Sequence, residues 1–294
     1  MLKRFGTACA IGILKGLARL PYGWIARFGD AAGRLLYLFP SKRRRIVQIN
    51  LKLCFPHWRA AQRNTVARRH FRHAIRSYVE RSVQWFAPAY VLEKWVEVDS
   101  AMDLTDSALP PTIFLGFHFV GIEAGALFLN YALRRRCGAL YQPMSNPQMD
   151  RIAKQARSRF NAEMMSRADS ARAVLRMLRA RTPVMLGADM DYGIRNSVFV
   201  PFFGVEACTL TAVSRLAKAG GAQVVPFISE VLPHYRGYRL KVFEAWKEYP
   251  SDDPVKDARR MNAFLEEQIQ RMPEQYYWVH RRFKTRPPGE PSIY

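Results

Sequence analysis

Downstream of Pro110-Pro111 the chain alternates short apolar runs with longer amphipathic stretches, and this alternation restricts the fold more than any other feature of the sequence. Strands are expected at 112–117, 139–142, 183–188, 223–229 and 238–243, where the runs are of strand length and bounded by turn residues. Helical spacing places helices over 121–133, 147–160, 169–180, 210–219 and 254–272, the fourth closed by Gly220-Gly221. Strands that alternate with helices pair through crossovers, so the expectation is an α/β fold: a mixed, largely parallel central sheet flanked by helices.

Upstream of that region the pattern is helical and the charge is concentrated. Residues 1–81 hold 18 Lys/Arg against 2 Asp/Glu, a net +16, whereas the remaining 213 residues hold 28 against 22. With 49% hydrophobic residues in 294 the chain can bury a full core, which excludes a disordered basic tail. The basic quarter therefore suits a polyanionic partner: nucleic acid, anionic lipid or an acidic protein. An apolar run at 5–14, flanked by Lys3, Arg4 and Lys15, is followed by a second reaching Ile25 with Arg19 inside it. This is too short and interrupted for a spanning helix, and it suits one lying at the headgroup level, with Tyr22 and Trp24 among its anchors. A cleaved signal peptide is disfavoured because the basic character continues past any cleavage point. Arginines at 63, 68, 69, 72, 76 and 81 face away from an apolar stripe of Phe71, Ile75, Tyr78, Ser82 and Trp85. The organisation expected is a membrane-anchor segment at 1–40, a basic helical region at 41–98 and an α/β domain at 99–294.

Several chemistries lose their support at once. The sequence holds no G-x-x-x-x-G-K-[ST], no G-x-G-x-x-G after a strand, no G-x-S-x-G and no H-E-x-x-H. Cys9, Cys54, Cys137 and Cys208 form no C-x-x-C pair and have no histidine at ligand spacing, so neither a disulfide framework nor a metal site is expected. No cofactor is expected either.

What remains is His118, directly after the apolar run Ile113-Phe-Leu-Gly-Phe117, with Glu123 five residues on. Catalytic groups in α/β sheets collect at the carboxyl ends of strands, and His118 belongs at such an end. Because it precedes the next helix, its ring can fold back toward Glu123, a carboxylate that would fix the tautomer while the other nitrogen takes a proton. Asp189 ends another apolar run and can meet His118 or Arg157 across the same crevice; a turn-initiating aspartate is the competing account.

H-x-x-x-x-E after a strand is also the signature of the lysophospholipid acyltransferase superfamily. Tyr141-Gln-Pro143, Asn146-Pro147, Asp189-Met-Asp-Tyr-Gly193, Ser197-Val-Phe-Val-Pro-Phe202 and above all Pro273-Glu-Gln-Tyr-Tyr-Trp-Val-His-Arg-Arg-Phe-Lys-Thr-Arg-Pro287 resemble the bacterial lipid A biosynthesis lauroyl/myristoyl (late) acyltransferases, over essentially the whole chain. The resemblance implies transfer of a fatty acyl chain from acyl carrier protein to a hydroxyl on a phosphorylated glucosamine lipid, at the cytoplasmic face of an anionic bacterial inner membrane. It implies His118 as the base, oriented by Glu123, in a direct transfer with no acyl-enzyme. It implies that Arg157 and Asp189 matter too, Arg157 as a guanidinium for a sugar phosphate or developing oxyanion. Asp191, Tyr192 and Arg195 are candidates for the same mouth, and 280–284 for a second basic surface, with Tyr276, Tyr277 and Trp278 read as core. Gln142 stands where close members carry Arg, and Met190 where they carry a polar residue, which bears on the acceptor rather than on the chemistry. The alternatives are a sister acyltransferase for another glycolipid, an ornithine lipid or a lysophospholipid, and, from a different class, a basic nucleic-acid-binding protein. The last gives a strand-end His with a Glu no use, so no nucleic acid partner is expected.

Overall fold

The computed structural model describes residues 2–166 and 170–294. The chain opens with four helices, α1 (Leu2–Leu17), α2 (Tyr22–Leu38), α3 (Lys42–Cys54) and α4 (Ala60–Phe86), then a short α5 (Ala89–Leu92). Strands β1 (Val96–Ser100) and β2 (Thr112–Gly116) lead into α6 (Ile122–Leu133), β3 (Cys137–Tyr141), α7 (Pro147–Arg157) and β4 (Ala162–Ser166). Next come α8 (Ser170–Arg179), β5 (Val184–Gly187), a hairpin of β6 (Ser197–Phe202) and β7 (Val205–Leu210), and α9 (Ala212–Gly220). Strands β8 (Gln223–Val231) and β9 (Tyr238–Val242) precede α10 (Pro254–Arg271). The helix expected to start at Asp169 is present from Ser170; Asp169 lies outside the described residues.

Helix starts are chemically marked. The Ser41 hydroxyl accepts from the Arg44 N–H, Asn146 from those of Gln148 and Met149, and Asp253 from those of Val255 and Lys256. Proline fills the first turn of α7 and α10, where its missing N–H costs nothing.

Seven strands form one sheet in the order β1-β9-β8-β2-β5-β3-β4, parallel at every pairing except β8 with β9. The mixed, largely parallel sheet expected from the sequence is present. Every residue of the central strand β2 is buried, because helices cover both sheet faces, and this is why 112–116 reads as a continuous apolar run. The two strands of this sheet that the sequence did not suggest, β1 and β4, are its edges, and the separate β6–β7 hairpin was not expected either; β1 has its three central residues exposed.

The N-terminal helices share the core of the sheet. Tyr22, Ile25, Ala26 and Val83 join the apolar cluster around Phe114, Met185 and Phe227, while Val47, Leu51 and Phe71 join the one around Ile113, Leu115 and Trp278. Helix α2 crosses α4 closely enough that a Cβ on Gly33 would lie 2.6 Å from Arg72 Cα, and one on Gly29 2.7 Å from Arg76 Cα. That crossing takes one member out of the arginine-rich face. Arg76 is buried (4% exposed) with Glu80 Oε1 at 2.6 Å and the Tyr22 hydroxyl at 2.8 Å, and Glu80 in turn accepts from the Tyr238 hydroxyl. A guanidinium can be buried there because a carboxylate and a phenol satisfy it.

No helix among the described residues is long and apolar enough to cross a membrane. The side of α2 turned away from α4 exposes Trp24, Phe28, Leu35, Leu36 and Leu38, with Phe39 following.

Candidate active site

Strands β2 and β5 are neighbours, paired Leu115 with Leu186 and Gly116 with Gly187. Two residues beyond each glycine stand His118 and Asp189, so the register delivers both side chains to the same carboxyl edge. His118 Nδ1 lies 2.6 Å from Asp189 Oδ1, and the His118 backbone N–H donates to Oδ2 at 3.1 Å. Gly187 makes room for the ring: a Cβ there would sit 3.0 Å from His118 Cε1.

Asp189 is fully buried, while 27% of the His118 side chain is exposed. Burial alone pushes the imidazole down, but the charge and hydrogen bond of Asp189 outweigh it and hold the pKa above the ordinary 6.5. Burial likewise pushes the Asp189 carboxyl up, and His118 together with Arg282 brings it below its ordinary value. With Nδ1 bonded to the carboxylate, Nε2 is the nitrogen left to exchange protons.

Glu123 takes a different partner from the one the sequence suggested. Its carboxylate receives Arg157 Nε at 2.8 Å, Arg157 Nη2 at 2.7 Å and Trp85 Nε1 at 2.9 Å, and it makes no hydrogen bond with His118. Burial pushes this carboxyl up, but the Arg157 hydrogen bonds and charge, with help from Arg81 and Trp85, bring it down to about 2. The orienting carboxylate of His118 is therefore Asp189, and Glu123 belongs to an ion pair beside it. The reason is positional: Glu123 starts α6, whose first turn faces α4 and α7, whereas the strand register aims Asp189 at the ring.

His118, Glu123 and Arg157 line one cavity of 330 Å³. Its inner wall is apolar, made by Ile122, Leu127, Met164, Met185, Leu186 and Phe227, with Gly116, Gly187 and Ala139 leaving space. Its mouth is polar and aromatic, with Tyr78, Arg81, Gln142 and Tyr277. The sequence reading missed Tyr78, Arg81 and Trp85 as site residues; their spacing on α4 marked them only as part of a helix face.

The other candidates do different work. Asp191 is 3% exposed and accepts from the Gly193 N–H, the Thr285 N–H and the Thr285 hydroxyl, so it closes a turn and fastens the C-terminal segment. Tyr192 and Arg195 are exposed on the link from β5 to β6 and do not line this cavity. The run at 280–284 is divided: Arg281 and Lys284 are exposed, whereas the residues between them point inward. Arg282 is 1% exposed, bonded to the Cys208 carbonyl, Thr209 Oγ1 and Asn262 Oδ1, and Phe283 is fully buried. Tyr276 and Trp278 are core residues, as expected, but Tyr277 lines the cavity. The run at 273–277 also holds the loop that carries His118. Val120 N–H donates to the Gln275 carbonyl at 2.8 Å, Tyr277 N–H to the His118 carbonyl at 2.9 Å, and Phe119 bridges Tyr276.

Such a site can deprotonate a hydroxyl held at Nε2 and stabilise the resulting imidazolium. Among the described residues no serine, threonine or cysteine hydrogen-bonds to His118.

The family model described as bacterial lipid A biosynthesis acyltransferase matches residues 1–285. The lipid A biosynthesis lauroyltransferase of Escherichia coli (strain K12) is 35% identical over 291 residues, which covers 98% of this chain and 94% of that protein. The lipid A biosynthesis palmitoleoyltransferase of the same organism is 33% identical over the same shares. Its lipid A biosynthesis myristoyltransferase is 29% identical over 99% of this chain and 90% of that protein.

Proposed function

The chain belongs to the bacterial lipid A biosynthesis acyltransferase family, and from that premise we propose that it moves a fatty acyl group from the thioester of acyl carrier protein to a hydroxyl of a lipid A precursor, with His118 as general base and Asp189 as its orienting carboxylate. The observation that carries this reading is the His118–Asp189 pair opening onto a cavity with an apolar wall and a cationic mouth. The acceptor hydroxyl meets Nε2, which takes its proton as the oxygen attacks the thioester carbonyl. The imidazolium so formed is held by Asp189 and returns the proton to the departing thiolate. The acyl chain occupies the apolar part of the cavity. Glu123 acts through Arg157 and Trp85, holding the wall beside the ring.

Docking at the inner membrane, on its cytoplasmic face, is part of the same proposal. The exposed apolar side of α2 is flanked by exposed Arg19, Arg27, Arg34, Lys42, Arg43 and Arg45, a combination that favours an anionic headgroup layer.

Mass spectrometry of lipid A from cells lacking or overproducing the protein tests the proposal, because a shift by the mass of one acyl group identifies acceptor and chain together. Unchanged lipid A in both strains would refute it. The sister reading, another glycolipid or a lysophospholipid as acceptor, predicts the mass shift in that lipid instead.

A further inference from the structure

Arg81 stands on α4, one turn before Trp85, and lines the cavity that holds His118. The other arginine of the cavity, Arg157, is spent on Glu123 through two hydrogen bonds. Among the described residues Arg81 makes no hydrogen bond and no ion pair, and its Nε is buried without a partner. Rings, not carboxylates, hold it: its guanidinium carbon lies 4.2 Å from the Tyr78 ring centroid and 5.8 Å from that of Trp85.

Stacking of this kind fixes a guanidinium while leaving its fork of donors available, and the one carboxylate whose charge it feels, Glu123, gives its hydrogen bonds to Arg157 and Trp85 instead. Donors partly withdrawn from water and unbonded are costly unless an acceptor meets them. Its place narrows the anion. Tyr78 is 40% exposed and its hydroxyl pairs with that of Tyr277 at 2.7 Å, so Arg81 sits at the outer, polar end of the cavity, away from the apolar wall. A planar fork at a mouth of this kind matches the tetrahedral oxygens of a phosphate.

We propose that Arg81 binds a phosphate group carried by one of the two substrates, an inference that rests on the acyl-transfer reading above. The sugar phosphate of the acceptor and the phosphodiester of the carrier's pantetheine arm present the same chemistry, and the experiment separates them.

The full-length protein in detergent is assayed with an acyl carrier thioester and a phosphorylated glycolipid acceptor, as wild type, Arg81→Met and Arg81→Lys. The expected result is a KM raised about tenfold or more in Arg81→Met for one substrate, with kcat little changed and partial recovery in Arg81→Lys. Inorganic phosphate then inhibits wild type more strongly than Arg81→Met. Repeating the assay with a dephosphorylated acceptor, and separately with an acyl-pantetheine donor lacking the phosphodiester, brings wild type and Arg81→Met to equal KM in the arm that lacks the bound phosphate. Wild-type KM for both substrates in a folded Arg81→Met overturns the proposal. So does a loss confined to kcat, which would make Arg81 a transition-state or positioning group, or an undiminished KM difference in both phosphate-free arms. Absence of transfer by wild type with any donor would instead remove the acyl-transfer reading itself, and this proposal with it.

Discussion

His118 and Asp189 share one proton between Nδ1 and a buried carboxylate, and the consequences are measurable. The catalytic form has Nε2 unprotonated, and Asp189 raises the pKa at which that form appears, so kcat/KM rises with pH through a value above 6.5. Asp189→Asn removes the charge that raises it. The acidic limb of the profile then moves to lower pH, and the rate falls by roughly 10²-fold or more as the imidazolium loses its partner. An unmoved limb would show that Asp189 does not govern the ring. His118→Ala abolishes transfer while leaving expression intact, and wild-type turnover in that variant would dismiss the base altogether. Gly187→Ala is expected to cost activity with little loss of stability, because the added methyl meets His118 Cε1 at 3.0 Å and displaces the ring rather than the core. A crystal structure of that variant with an unmoved ring would dispose of this account.

At the scale of elements, the crossing of α2 over α4 depends on two residues without side chains. Gly33→Leu forces the helices apart and exposes the buried Arg76–Glu80 pair to water, and a loss of about 2–4 kcal/mol in urea unfolding is expected. Membrane docking is tested on the other side of α2, since a cut at residue 25 would remove Tyr22 and Ile25 from the core. Trp24→Ser with Phe28→Ser leaves those two residues in place. That pair of changes should shift the protein from the pellet to the supernatant when it is sedimented with anionic vesicles. Equal sedimentation would eliminate this face as the contact. The same crossing shows what the sequence could and could not reveal. Strands 112–116 and 223–231 were legible because burial on both faces makes most of their positions apolar. Edge strands β1 and β4 were not, because exposed positions mix polar residues into the pattern. The strand-end place of His118 was legible from a local motif. The expected contact of its ring with Glu123 is absent, whereas the meeting with Asp189, expected only as one of two options, arises from register between strands 71 residues apart, where Gly-Phe-His and Gly-Ala-Asp share the same offset from their paired glycines. Inward-facing Arg76 could not be told from its solvated neighbours, since α2 alone distinguishes them.

For the molecule as a whole, three histidines are held neutral by burial: His70 down to about 3, and His73 and His280 each down to about 4. Their ordinary value is 6.5, so between about pH 4 and 6.5 the unfolded chain binds protons that the folded one refuses, and stability rises with pH across that window. The urea midpoint should therefore fall steadily as pH drops from 6.5 to 4, and a flat midpoint would show that these rings are not buried uncharged. His280 also ties this acid sensitivity to the site, since its Nε2 accepts from the Asp191 N–H at 2.9 Å and its carbonyl from Asn50 Nδ2 at 2.7 Å. The backbone partners of the His118 loop, Gln275 and Tyr277, come from the same late stretch of chain. A nascent polypeptide has therefore already made its base, its carboxylate and most of its sheet before the piece that fastens the base exists. A chain cut before Pro273 should therefore lack the proposed transfer activity, since the loop that carries His118 loses its backbone partners.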